Sequence, residues 1–386
     1  MLCLLHGDAV AGLYIHIPFC RQKCPYCDFY SEVDRDGDLV LYVDALCRDL
    51  ELSCAWYGAE PFSTVFFGGG TPSLLPPDQV ERILNQVQRF YGLSADVEVS
   101  MEVNPGTVDC QGLHGYHQAG VNRLSIGVQS FDDDQLRWLR RIHDSRQALA
   151  LVDEARRAGF ERLNLDLMFA LPGQSEASMV ESCRRIAQLD VEHVAIYGLS
   201  VEPGTPLAAA EASGRWSQSD EADYQRHYLT LSEQLIRHGF DHYEISNFCR
   251  PGEACRHNLG YWQRRPYLGI GAGAHSFLGQ GDGERWHCPD DLNAYLRALQ
   301  HGQLPRQQLE TFSHGQAVSE AAYLALRCGK GVDDQEFLLR YGVRFSSRFS
   351  DAIAACGDAL HRCGTRYFFE PKDWLLYDFY IEKFLI

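Results

Sequence analysis

Three cysteines, Cys20, Cys24 and Cys27, stand in "CRQKCPYC", directly after the apolar run "LYIHIPF". A structural zinc site needs a fourth ligand at comparable spacing. His16 precedes Cys20 by four residues, yet on a strand it points off the chain rather than completing a knuckle. Ordinary ferredoxin clusters also use four cysteines. Three thiolates spaced C-x3-C-x2-C on a tight loop suit a [4Fe-4S] cluster with one iron open to an outside ligand, with zinc as the alternative.

Other residues are of types that would serve a small polar ligand beside such a site. "FFGGGTPS" ends a strand in Gly68, Gly69, Gly70 and Thr71, where bare backbone can approach a ligand closely. Glu102 in "SMEVNPG", Gln129 in "SIGVQSF", Arg141 in "WLRRIH" and Asp166 in "NLDLMF" follow in the next units. A carboxylate can accept ribose hydroxyls, and a guanidinium can fork onto a carboxylate. Tyr14 and His16, two apart, leave the first strand on the same side.

The elements that position these residues are repeated βα units. Strand candidates are "GLYIHI", "TVFFGG", "VEVSMEV", "RLSIGVQ", "NLDLMF" and "HVAIYGL", separated by helical patterns such as "DQVERILNQVQRF" and "SRQALALVDEARRAGF". Six units are too few for a closed eight-stranded barrel, and a dinucleotide glycine fingerprint is missing. The expected fold is therefore α/β, an incomplete (β/α)6 barrel with its chemistry at the C-terminal strand ends. A helical run over 216–238 and "DHYEISNFCRPGEACRHNLGYWQRRPYLGIGAGAHSF" follow. Expected boundaries are 1–245 for the barrel and following helix, 246–318 for an HNLGYW segment and linker, and 319–386 for a winged-helix-like accessory domain.

A formal net charge of −17 over 386 residues offers no basic footprint for nucleic acid. No apolar run of about 18 residues is present, "MLCLLH" is too short to span a bilayer, and no secretory signal pattern opens the chain. With 14 cysteines in a long unsignalled chain, a reducing compartment fits better than a disulfide scaffold. The expectation is a cytoplasmic protein able to lie against the inner face of the cell membrane.

"CRQKCPYC" resembles the cluster motif of the radical S-adenosylmethionine (SAM) enzymes. The resemblance implies that SAM chelates the open iron and that an electron from the cluster cleaves the sulfonium to a 5′-deoxyadenosyl radical. From "LYIHIPFC" to the terminal domain the chain is similar to the coproporphyrinogen-oxidase-like branch of that family. By that likeness Tyr14, Gly69 and Glu102 match positions touching a first SAM; Tyr26, Gly70, Thr71, Gln129, Arg141 and Asp166 match positions around a second. "HNLGYW", His257 to Trp262, resembles the HNxxYW signature of the branch's haem chaperones. This implies haem as cargo, with His257 the first candidate axial ligand and Cys255 and His275 behind it. It also implies transfer to acceptor haemoproteins, respiratory membrane proteins among them, and a homodimer. The competing readings are a radical methyltransferase on a small natural product and an oxygen-independent coproporphyrinogen III oxidase. The oxidase's long N-terminal segment has no counterpart before Tyr14. Three loop positions depart from the relatives: Arg140 and Ala170 stand where glycine is usual, and Ala272 where proline is common.

Overall fold

The structure, a computed structural model, describes residues 11–33, 38–58, 60–279 and 282–385; the "MLCLLH" stretch lies outside them. Six strands pair in parallel and in chain order: β1 (Ala11–Ile17), β2 (Phe62–Gly69), β3 (Leu93–Val103), β4 (Arg123–Gln129), β5 (Arg162–Phe169) and β6 (His193–Gly198). Crossover helices cover the outside. In Pro77–Phe90 the buried side chains are Val80, Ile83, Leu84 and Val87, the spacing of one helical face. Ser145–Arg157 starts on a capping box between Asp144 and Gln147, which satisfies its first free N–H groups.

Six further strands extend this sheet at both edges: β7 (Asp241–Glu244), β8 (Asn247–Cys249), β9 (Tyr267–Ile270), β10 (His275–Leu278), β11 (Glu284–His287) and β12 (Gln307–Thr311). The full order is β12-β11-β10-β9-β1-β2-β3-β4-β5-β6-β8-β7. β9 runs parallel to β1, with Gly269 opposite Tyr14, whereas β8 runs antiparallel to β6. Five short strands of the stretch 246–318, read above as an HNLGYW segment and linker, join the sheet of the barrel. A buried ion pair ties the stretch further to the first helix, Asp38–Tyr57. Arg306 Nη1 lies 2.9 Å from Asp49, which also accepts from the Tyr295 hydroxyl at 2.8 Å.

Tyr14, Phe66, Glu102, Ser125, Asp166 and Tyr197, one from each of β1–β6, line a single cavity, so the sheet is curled. The helix Arg256–Trp262 closes its floor, presenting His257, Asn258 and Tyr261 to the same space. Beyond it, Phe337, Phe345, Phe349, Tyr367 and Phe384 build a second core. That core lies among short helices and a three-stranded antiparallel ladder of Val332–Asp333, Arg366–Phe368 and His361–Cys363. Among the described residues no helix is long and apolar enough to cross a membrane.

Candidate functional site

β1 delivers the cysteine loop. Phe19–Cys20 pairs in parallel with Glu32–Val33, and the buried His16 ring fixes the returning chain through Nε2–H to the Tyr30 carbonyl, 2.9 Å. His16 Nδ1 then accepts from the Tyr14 hydroxyl at 3.1 Å, and burial keeps the ring below its ordinary pKa. The three cysteines are half-buried and free. Their sulfurs do not all lie within 4.8 Å of one another, which a single zinc ion with Zn–S bonds of about 2.3 Å would require. They are close enough for Cys24 and Cys20 to add to the burial that pushes the Cys27 thiol up. A three-sulfur set this wide fits a cluster with one open iron better than one closed ion.

Side chains from neighbouring strand ends reach these sulfurs. The Thr71 hydroxyl donates to Cys20 Sγ at 3.4 Å, and Arg141 Nη1 approaches Cys24 Sγ at 3.6 Å. Asn104 connects the two, donating to Thr71 Oγ1 at 3.1 Å and accepting from Arg141 Nη2. A Cβ on Gly70 would stand 2.7 Å from the Phe19 carbonyl and 3.0 Å from Cys20 Sγ, so only glycine leaves room for the loop. A Cβ on Gly127 would meet Asn104, Gln129 and Arg141 together, which shows how tightly these three gather over the end of β4. Gln129 is turned there by a left-handed backbone, φ 64°. Tyr26 packs against the small apolar cluster of Leu139, Met168, Leu171, Leu199 and Leu207 at the mouth, and burial pushes its phenol up.

Deeper in the barrel the acidic residues converge. Glu102 Oε2 accepts from Gly69 N–H at 3.2 Å, and a Cβ on Gly69 would strike the His16 ring at 2.7 Å. Burial, with the nearby Asp166 charge, pushes the Glu102 carboxyl up to about 8. Asp166 is pushed up to about 6 by burial, against the hydrogen bonds of Asn164 (2.7 Å) and Ser125 (3.2 Å). The Tyr14 phenol is raised by burial and by Glu102. The cavity between them measures about 170 Å3. Glu102 and Asp166 are suited to a ligand carrying an amino group or hydroxyls, which would replace the lost solvation.

His257, the first candidate for haem iron, is held by hydroxyls on both sides of its ring. It is buried, with Nδ1 2.8 Å from the Thr64 hydroxyl and Nε2 2.8 Å from the Tyr261 hydroxyl. Its ring lies near-parallel to Phe66, centroids 5.2 Å apart, and burial lowers its pKa to about 3. Hydrogen-bonded at both nitrogens, His257 pins the floor helix to β2. Cys255 is likewise buried, its thiol 3.6 Å from Glu98 Oε1. Only His275 among these candidates is exposed, with its ring 4.4 Å from that of His287 on β11.

The residues expected near SAM therefore form a group around the sulfurs (Tyr26, Gly70, Thr71, Gln129, Arg141) and a deeper one (Tyr14, Gly69, Glu102, Asp166). His16, bonded to Tyr14, joins the deeper group. Sequence reasoning missed Asn104, although "VNPG" marks it as a polar residue entering a turn. It also missed Ser125 and Asn164, which hold Asp166, and Glu98.

Residues 14–186 match the family model of the Radical SAM superfamily. A "Heme chaperone HemW" of Bacillus subtilis is 33% identical over 88% of this chain and 89% of its own. The chain belongs to the HemW family of radical SAM proteins. A HemW of Mycobacterium tuberculosis (strain ATCC 25618 / H37Rv) is 35% identical, covering 97% of this chain and 94% of its own. A Danio rerio relative, "Radical S-adenosyl methionine domain-containing protein 1, mitochondrial", is 35% identical over 85% and 75%. The solved structure of Escherichia coli coproporphyrinogen III oxidase shares the fold, with a TM-score of 0.81 at 22% identity over 97% of this chain and 90% of that one. Membership in the HemW family brings a [4Fe-4S] cluster and SAM as cofactors.

Proposed function

We propose that this protein is a haem chaperone that captures haem and hands it to acceptor haemoproteins. Cys20, Cys24 and Cys27 would hold the cluster, and SAM would take its open iron. The observation carrying this reading is the end-to-end likeness to relatives named as haem chaperones, which spans barrel, floor helix and terminal domain alike. When bound, the cluster supplies the electron that cleaves the SAM sulfonium. The chain's own part is electrostatic and steric. The Thr71 hydroxyl and Arg141 guanidinium lie against two of the sulfurs that would hold the cluster, Cys20 and Cys24, and fix their positions. Glu102, bridged to the glycine run, offers a carboxylate oxygen to the amino group of SAM, and Asp166 offers one to its ribose hydroxyls. Acceptors in the respiratory membrane, peripheral attachment and a homodimer belong to the same proposal.

The test is anaerobic reconstitution, haem titration and transfer to an apo-haemoprotein. Stoichiometric haem capture should survive replacement of the three cysteines by alanine, because cargo iron and cluster iron are distinct. The same substitution should abolish the cluster spectrum and stop transfer. Failure of the wild-type protein to capture haem refutes the chaperone reading.

A further inference from the structure

The deep end of the barrel cavity carries a cation that the protein itself does not pair. Arg123, the first residue of β4, is 4% exposed and lines the cavity. Among the described residues, nothing accepts a hydrogen bond from its guanidinium and no carboxylate forms an ion pair with it. Buried charges are as a rule paired, because an uncompensated one is costly.

Glu98 and Asp166 are the carboxylates whose charge reaches Arg123, and both spend their oxygens elsewhere. Glu98 accepts from the floor-helix N–H groups of Arg256 and His257, and Asp166 from Asn164 and Ser125. Burial first, and then the Arg123 charge, keep His193 and His257 neutral. Arg123 is therefore the one fixed positive charge among the described residues lining the cavity. Two neutral donors accompany it. Ser100 stands opposite Arg123 in the β3–β4 register, on the face of β3 that carries Glu102; it is fully buried and its hydroxyl has no partner. Asn258, from the floor helix, lines the cavity with an amide that makes no hydrogen bond among the described residues.

Arg123 and Ser125 share a face of β4 two residues apart, about 7 Å along the strand, and Ser125 is the residue opposite Glu102. The Arg123 level is thus one step deeper than the carboxylate assigned above to the amino group of SAM. A forked guanidinium beside a hydroxyl and an amide fits the two oxygens of a carboxylate, and the Phe66 ring on the same wall offers a short carbon chain a surface to pack on. We propose that Arg123 binds the carboxylate of a short-chain acid reaching the floor of the barrel, with Ser100 and Asn258 as supporting donors. A free small acid and the carboxylate arm of a larger ligand seated at the mouth present the same chemistry to Arg123.

The test is equilibrium dialysis of radiolabelled propionate against full-length, cluster-reconstituted protein, with propionamide as the neutral counterpart. Wild-type protein should take up one propionate per chain, and propionamide should bind about tenfold or more weakly, the scale of one lost charge-assisted contact. Arg123→Met should weaken propionate binding by about the same factor, with the cluster spectrum unchanged and the ligand-free Tm no lower than wild type, because methionine removes a charge that no protein group pairs. Arg123→Lys should keep part of the affinity. Excess SAM should leave propionate bound. Haem and protoporphyrin dimethyl ester separate the two sources. Displacement by haem and not by the ester assigns the site to a propionate arm, a source that rests on the haem-chaperone reading; no displacement by either assigns it to a free acid. Failure of haem binding alone therefore leaves this site standing. No propionate uptake by the wild type, equal binding of propionate and propionamide, wild-type affinity in Arg123→Met, or displacement by SAM overturns the proposal. So does a fall of several degrees in the Tm of Arg123→Met, which would make Arg123 a structural counter-charge to Glu98 and Asp166.

Discussion

Glu98→Ala should loosen the barrel floor. The Glu98 carboxylate, on β3 and 2% exposed, accepts from Arg256 N–H at 3.1 Å and His257 N–H at 3.0 Å, with the Cys255 thiol at 3.6 Å. These contacts satisfy the first free N–H groups of the floor helix. Hydrogen bonds to a charged group contribute about 1.5–3 kcal/mol each, so losing two costs about 3–6 kcal/mol. That is a large share of a total stability of about 5–15 kcal/mol. An unfolding entropy of roughly 2.1 cal/mol/K per residue gives about 0.8 kcal/mol/K for this chain, and so a fall in Tm of about 4–7 °C. Glu98→Gln keeps one acceptor oxygen and should lose about half as much, about 2–4 °C. Calorimetry under anaerobic conditions on matched cluster-loaded samples measures both. An alanine variant melting within about 1 °C of wild type would refute the reasoning, because two buried N–H groups cannot lose a carboxylate at so small a cost.

Gly70→Ala should fold, since the clash falls on the cysteine loop, but should load markedly less iron and sulfide than wild type on reconstitution; equal loading would contradict the close approach at Cys20. Glu102 gives a pH signature. With its folded carboxyl raised to about 8, the ligand-free folded state binds a proton that the unfolded chain releases near 4.5. The stabilisation is fully present below the unfolded value and is lost as pH rises through about 8. Glu102→Gln should remove this slope from chemical denaturation midpoints, and in the wild type SAM binding should strengthen towards pH 8 as the carboxylate forms. Arg140→Gly should stabilise the apo-protein by about 0.7 kcal/mol at the middle of both ranges: relief of about 1–2 kcal/mol of left-handed strain, less glycine's entropy cost of about 0.5–1. Arg140 is exposed at φ 54°, so little packing is lost, and an unchanged or lower urea midpoint would count against the assignment.

Period-two and period-3.6 patterns located the barrel strands closely, β4 with both ends as read from "RLSIGVQ". They placed the starts of β2 and β3 late, at Thr64 and Val97 rather than Phe62 and Leu93. Those first residues are polar or irregular and join the sheet through pairing of Phe62 with Leu93 across a register shift. The outer strands β7–β11 are only three or four residues long, too short for periodicity to register, and β9 finds β1 across about 250 residues. The contacts of His257 were hidden for a similar reason. Its local neighbours suggested a ligand, while the hydroxyl that takes its Nδ1 belongs to Thr64, 193 residues earlier. The departures at Arg140 and Ala170 were visible as substitutions, but only the backbone shows that both sit at positive φ, 54° and 59°.

Tyr261 lines both the barrel cavity and a second, outer pocket that Trp262 and Phe277 also line. A single phenol ring, braced by His257, is thus a party wall between two chambers. The inner chamber, about 170 Å3, is closed below by the floor helix. A ligand held between Glu102 and Asp166 would thus be separated from the outer pocket by the thickness of one ring.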